Sequence, residues 1–303
     1  MLDIIKNRSE ILFLYDIKDA NPNGDPLDEN KPRIDEETGL NIVTDVRLKR
    51  TVRDYLYEYK GQEVFIRELR KEDGNLKTKE ERLKDFGDDS IVDRCIDIRL
   101  FGSTTAVEGK TIVLTGPVQF KYGRSLHKVD LTYIKGTTVM PSGADRKQGT
   151  FTERYILPYS LIVFYGVVNN NAAQTQNIPL TDADINLMLE AMWNGTKNLI
   201  TGSKFGQMPR LLIHVIYKEN QNFHIGELDK LVSIKTEKAD EVIRDISDVK
   251  IDITEFVNTL KKHKDKIEKI RFKSDERAKY IKDGNDIEIK VALDEFELEE
   301  FIF

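Results

Sequence analysis

Apolar positions along the chain fall into short blocks, separated by polar stretches rich in glycine and proline. Residues 10–17 (EILFLYDI) set Ile11, Phe13 and Tyr15 on one side of an extended strand and Leu12, Leu14 and Asp16 on the other. That pattern predicts a strand covered on both faces. The segment 19–39 carries three prolines and two glycines, which no helix crosses. In residues 45–59, Leu48, Val52, Tyr55, Leu56 and Tyr59 fall within one arc of about 100° at helical spacing, behind Thr44 as N-cap. Residues 61–94 are charge-dense and predict an insertion with short helices. From Asp97 the chain turns apolar and β-like, with strands expected over 112–120, 155–168 and 211–217. Thr181 caps a helix whose core face holds Ile185, Leu187, Met188, Leu189, Met192 and Trp193. Residues 121–153 form a glycine-bearing basic insertion between two of the strands.

The resulting order is strand, helix, strand, strand, helix, strand. It predicts an α+β fold with a ferredoxin-like βαββαβ core, the arrangement also used by RNA recognition motifs (RRM). Residues 1–220 would form this decorated core. Residues 221–303 would form a charged, helical C-terminal extension packed on the core or on a neighbour. Fold order alone assigns no function.

Charge changes the picture only when it is resolved by position. The 303 residues carry a formal charge of −6, which on its face disfavours a nucleic-acid partner. Residues 99–218, however, hold 13 Lys and Arg against 7 Asp and Glu, between two acidic ends. One cysteine excludes a disulfide framework and a cysteine zinc site. The four histidines make no metal-binding pair, so neither metal nor cofactor is expected. No apolar run reaches the roughly 20 residues that span a bilayer, so a soluble, cytoplasmic protein without a membrane partner is expected.

Individual motifs are weak. Asp19–Asp25 (DANPNGD) resembles the start of a calcium loop, but its twelfth position is Asn30. A structured turn, with Gly24 at positive φ, is the better reading. Gly109-Lys110-Thr111 lacks the spacing of a P-loop, and a strand follows where that motif needs a helix. Asp16, Asp19 and Asp25 cluster near the first strand and keep one catalytic alternative open, a metal-dependent endoribonuclease.

The cations of the first helix say more. Lys49, Arg50 and Arg53 lie beside the apolar arc rather than opposite it, where a phosphate could meet several at once. A salt-bridged face, for example Arg50 with Asp54, explains them equally well. In the 121–153 insertion, basic residues interleave with Tyr122, Tyr133, Val139, Met140 and Phe151, a composition suited to clasping nucleic acid.

Five segments together resemble one family: LYDIKDANPNGDP (14–26), TGLNIVTDVRLKRTVRDYL (38–56), DIRLFG (97–102), GPVQFKYGRSL (116–126) and KFGQMPRLLIHVIY (204–217). The chain resembles the Cas-seven family of CRISPR Cascade backbone subunits, most closely its type I-B branch, over roughly residues 8–217. The resemblance implies a non-catalytic, guide-RNA-binding subunit with a modified RRM palm, fingers at 61–94 and a thumb hairpin at 121–153. It implies copies stacked head to tail along the guide RNA, alongside other Cascade subunits, presenting the guide for pairing with target DNA in antiviral defence. Residues implied to contact RNA are Lys49, Arg50 and Arg53, then Gly123, Arg124 and Ser125 at the base of the thumb. The resemblance also implies Val139 and Met140 as the wedge near the thumb tip; Lys135, Arg146 and Lys147, from the basic insertion, and Lys204 are expected RNA contacts besides these.

Overall fold

The computed structural model describes residues 4–87, 90–107, 110–137 and 151–303. Four strands, β1 (Ser9–Ala20), β2 (Val118–Phe120), β3 (Phe151–Val168) and β4 (Met208–Tyr217), lie side by side in the order β4-β1-β3-β2, each antiparallel to its neighbour. Helices α1 (Asp45–Glu58), α2 (Ile96–Phe101) and α3 (Asp182–Glu190) belong to one face of this sheet.

β1 is central because both of its faces are apolar. Ile11, Phe13, Tyr15 and Ile17 enter the core that holds Leu48, Val52 and Leu56 of α1 and Met188 and Leu189 of α3. Leu12 and Leu14 enter a second core on the opposite face. Local signals place the helices as read from the sequence. The Thr44 side chain accepts from the Arg47 N–H, and Thr181 forms a reciprocal capping box with Asp184.

Three expectations are corrected. Residues 96–101 are helical rather than β-like: Ile96 and Leu100 reach the main core while Ile98 faces a satellite cluster with Phe65 and Cys95. The 112–120 segment is not one strand, because Lys110–Thr115 pairs with Gly102–Val107 in a separate hairpin and only Val118–Phe120 joins the main sheet. The break falls at Gly116-Pro117, where a Cβ on residue 116 would lie 2.0 Å from the Phe101 carbonyl carbon.

The third correction concerns residues 221–303, which are mixed rather than helical. Ile267–Ser274 (β5) extends the main sheet antiparallel to β4, and Leu298–Glu300 lies parallel beside it. Helix Thr254–Lys262 and a small sheet cover the second face, burying Phe256, Val257, Leu260, Ile251 and Tyr280 against Leu211, Ile213 and Val215. Charge density disguised β5, because the exposed Glu268 and the half-buried Lys269, Arg271 and Lys273 separate the buried Ile267, Ile270 and Phe272.

Two buried carboxylates fasten this region to the sheet. Glu10 accepts from the Tyr165 and Tyr217 hydroxyls and from the backbone N–H groups of Ile225 and Gly226. Asp16 accepts from Arg210 at 2.8 Å and from the Tyr159 hydroxyl at 2.9 Å, and Arg210 also reaches Asp275. Such groups are costly to leave unpaired, so the contacts fix where the C-terminal region sits.

His214, on β4, makes one pH prediction. It is buried, bonds Ser9 of β1 through Nε2, and faces Arg271 and Lys269 of β5, with Asp182 of α3, Glu268 and Glu299 lining the same small cavity. Burial, and then those two cations, push its pKa from 6.5 down to about 3. The unfolded chain therefore takes up a proton that the folded chain refuses. Stability from this group is complete above pH 6.5 and is lost as pH falls toward 3. Between about pH 7.5 and about pH 5 the loss is about 2 kcal/mol. Urea unfolding at the two pH values should show a smaller difference for His214→Gln than for the native chain. Equal pH dependence would refute the assignment. His127, whose pKa is also lowered by burial, acts in the same direction and leaves part of the slope in the variant.

Candidate nucleic-acid interface

α1 presents its cations in three different ways. Lys49 is largely buried, with Nζ 2.8 Å from Asp45 and 5.5 Å from the Phe101 ring centroid. Arg53 is buried and bonds the fully buried Asp97 at 2.9 Å. Asp97 also accepts from the backbone N–H groups of Phe65 and Ile66, so this pair ties α1 to α2 and to the insertion. Arg50 is half-exposed and holds Asp54 at 2.8 Å, the salt-bridged face that the sequence allowed. The helical wheel grouped these three residues, but the structure leaves only Arg50 open to solvent.

The residues expected at the base of a thumb, 123–125, divide in the same manner. A Cβ at Gly123 would lie 2.3 Å from the Phe164 ring, so this glycine serves close packing of the sheet. Ser125 is buried, donating to the His127 carbonyl and accepting from the Asn41 N–H. Arg124 is exposed and pairs with Asp35 at 2.9 Å. Lys135 is on the strand Thr132–Thr137, which pairs with the first half of β3 as a two-stranded ribbon. Val139, Met140, Arg146 and Lys147 lie outside the described residues.

Sequence reasoning missed Arg47. It sits in the first turn of α1, where the helix dipole disfavours a cation. It makes no ion pair among the described residues; its polar contact is with Thr51, and its Nε is buried without a partner. Burial lowers its pKa, although Asp54 and Tyr15 act against the shift. Lys204, from the loop before β4, is half-buried and within electrostatic range of it. Burial first, and the Arg47 charge second, hold Lys204 below the usual lysine range. Its ammonium reaches only the Ser203 hydroxyl among the described groups. Two partly desolvated cations near one another, neither in an ion pair, make a site that gains stability when an anion enters. A cation placed against the helix dipole is the signal that could have identified Arg47.

The carboxylates of the catalytic alternative do not converge. Asp16 is buried and committed to Arg210 and Tyr159, with burial raising its pKa. Asp25 pairs with Arg33, and Asp19 is an exposed residue at positive φ. Among the described residues no three His, Cys, Asp or Glu side chains are placed to hold a metal ion. The turn after β1 corrects one detail. Its positive-φ residues are Glu29 and Asn30, with Asp19 near the end of β1 before it, rather than Gly24, where a Cβ would collide with the Asn30 side chain. No described helix is long and apolar enough to cross a membrane.

Fold and site together define a mixed α+β protein with two cations, Arg47 and Lys204, that make no ion pair among the described residues near the start of its first helix. The family model described as CRISPR-associated protein Cas7 matches residues 7–254. A CRISPR-associated protein Cas7 from Haloferax volcanii is 35% identical, over 89% of this chain and 88% of its own length. The chain belongs to the CRISPR-associated Cas7 family. Among solved structures, a chain of a "CRISPR RNA-guided surveillance complex, pre-nicking" superposes with a TM-score of 0.58 at 12% identity, covering 97% of this chain and 96% of that one. A chain of a second CRISPR RNA-guided surveillance complex gives a TM-score of 0.56 at 15% identity, covering 96% and 94%. At these identities the likeness is one of fold.

Proposed function

We propose that this protein is a non-catalytic, guide-RNA-binding backbone subunit of a type I CRISPR surveillance complex, of the I-B branch. The β4-β1-β3-β2 order with α1 and α3 on one face supports reading its core as a modified RRM palm. Copies stack head to tail along the guide, beside other subunits, and leave the bases free to pair with target DNA. Sequence recognition then rests on base pairing, and the protein holds the backbone. It acts in the cytoplasm in antiviral defence.

The observation that carries this reading is two cations with no ion-pair partner among the described residues, Arg47 in the first turn of α1 and Lys204 before β4, in a Cas7-family chain. Arg50, Arg124 and Lys135 extend the backbone contacts. Lys49, Arg53, Gly123 and Ser125 support the scaffold that carries them. Arg146 and Lys147 as phosphate contacts, and Val139 and Met140 as the wedge, belong to the same proposal. For Arg146 and Lys147 it rests on the basic charge of the 121–153 insertion, and for Val139 and Met140 on the family resemblance.

The test is the nucleic-acid content of the protein purified from cells that express a CRISPR array. The expected result is co-purifying RNA of repeat-spacer sequence, protected from nuclease at regular intervals. Nucleic-acid-free protein that also fails to bind such RNA when it is supplied would overturn the proposal. RNA cut by the protein with added Mg²⁺, and left intact by an Asp16→Asn variant, would return the endoribonuclease alternative.

A further inference from the structure

A groove of about 700 Å³ opens in the C-terminal region, where β5 ends beside the small sheet. Phe272 and Ser274 of β5, Glu300 and the segment 286–290 all line it. Its floor is apolar. Phe272, Ala278, Tyr280 and Ile289 are buried there, and Ile287 is half-buried.

Carboxylates dominate its polar lining. Asp275, Glu276, Asp286, Glu288 and Glu300 stand against Lys279 and Lys290. Asp275 is spent on Arg210. Asp286 meets Lys250 in an exposed pair, which holds it only weakly. Glu276, Glu288 and Glu300 are exposed and make no ion pair among the described residues.

The groove also borders open strand edges. The strand Asn285–Ile287 is the outermost of the small sheet and is paired on one side only. On β5, the strand Leu298–Glu300 pairs with Ile270–Phe272 alone, so Ser274 has a strand partner on one side, Leu211. Such edges present backbone N–H and C=O groups to any extended chain that reaches them.

The carboxylates repel a nucleic acid. A free polyamine would neutralise them and leave the strand edge unpaired. An extended peptide uses edge, floor and charge together, because its main chain bonds the edge while alternate side chains point to opposite faces.

We propose that this groove is a docking site for an extended, lysine- or arginine-bearing segment of a partner protein. The segment adds as a strand to the Asn285–Ile287 edge. Its cations lie toward Glu276, Glu288 and Glu300, and its intervening apolar side chains lie on Ile287 and Tyr280. The groove is built from residues beyond 271, so the inference goes beyond the RNA contacts around α1 and stands apart from them.

The test measures fluorescence anisotropy of a labelled nine-residue peptide of alternating lysine and valine on the full chain. Saturable binding is expected. A lysine–serine peptide of equal charge, and the lysine–valine peptide with N-methyl groups on alternate residues, should each bind at least tenfold more weakly. The double variant Glu276→Lys with Glu300→Lys should lower affinity at least tenfold, and Glu288→Lys should lower it in the same direction. All these side chains are exposed, so the unfolding midpoint should not move. Glu237→Lys with Glu255→Lys, an equal charge change at exposed sites outside the groove, should change affinity by less than about threefold.

No binding of the lysine–valine peptide overturns the proposal. Equal losses in the groove and control variants, or equal binding of the lysine–serine peptide, reduce it to diffuse charge attraction and overturn it. Undiminished binding of the N-methylated peptide overturns strand addition. Displacement of the labelled peptide by rising concentrations of the unlabelled chain assigns the groove to a second copy and overturns the partner assignment.

Discussion

Replacing Arg47 and Lys204 together with alanine should weaken RNA binding by about 10- to 100-fold near physiological salt, with the fold unchanged. The magnitude follows from two charge-assisted phosphate contacts, each worth about 1.5–3 kcal/mol before partial compensation. Salt gives a sharper reading. Each phosphate neutralised on a single strand contributes about 0.7 to the slope of log K against log salt. Losing two cations should therefore flatten that slope by about 1.4. Neither residue makes an ion pair among the described residues, so their removal leaves no buried carboxylate stranded. Relief of the mutual repulsion should even raise the unfolding midpoint slightly. Lys230→Ala, on the exposed C-terminal region, serves as the control. An unchanged salt slope in the double variant would remove the observation on which the functional reading stands.

The second large effect is on stability. Asp97→Ala should destabilise the fold by about 3–5 kcal/mol, because it strands the buried Arg53 charge and unpairs the Phe65 and Ile66 N–H groups. Denaturant unfolding measures this directly. The combined change Arg53→Met with Asp97→Leu should recover part of the loss, since it removes both buried charges. It should not recover all of it, because the two backbone donors stay unmet. In that folded double variant RNA affinity should stay within about threefold of the native value. A loss as large as that of the Arg47–Lys204 variant would show that Arg53 contacts RNA directly, as the helical wheel alone suggests.

These two experiments separate cations that look alike in sequence. Arg50 and Arg53 are three residues apart on α1. One is half-exposed on an i,i+4 pair, and the other is locked to a carboxylate 44 residues away. Helical spacing gives the direction in which a side chain leaves its helix. It does not give the distant partner that meets it there.

The sequence by itself determined the elements whose signals are local. The two-faced burial of β1, the Thr44 and Thr181 caps and the apolar arcs of α1 and α3, save for Tyr59, which is exposed past the end of α1, follow from residues within a turn or two of each other. So does the basic character of residues 99–218. The family segments were legible for the same reason, since each is contiguous. The tertiary structure alone decided which charges are spent and which are available. It buried Arg53 on Asp97 and Ser125 on Asn41, gave Asp16 to Arg210, and brought Arg47 within electrostatic range of Lys204. It also turned the charged C-terminal region into strand β5 and a cover for the second face of the sheet. The physical reason is that an ionic group's state is set by burial and by partners within a few ångströms. Those partners are far apart in the chain and meet only when the sheet is assembled.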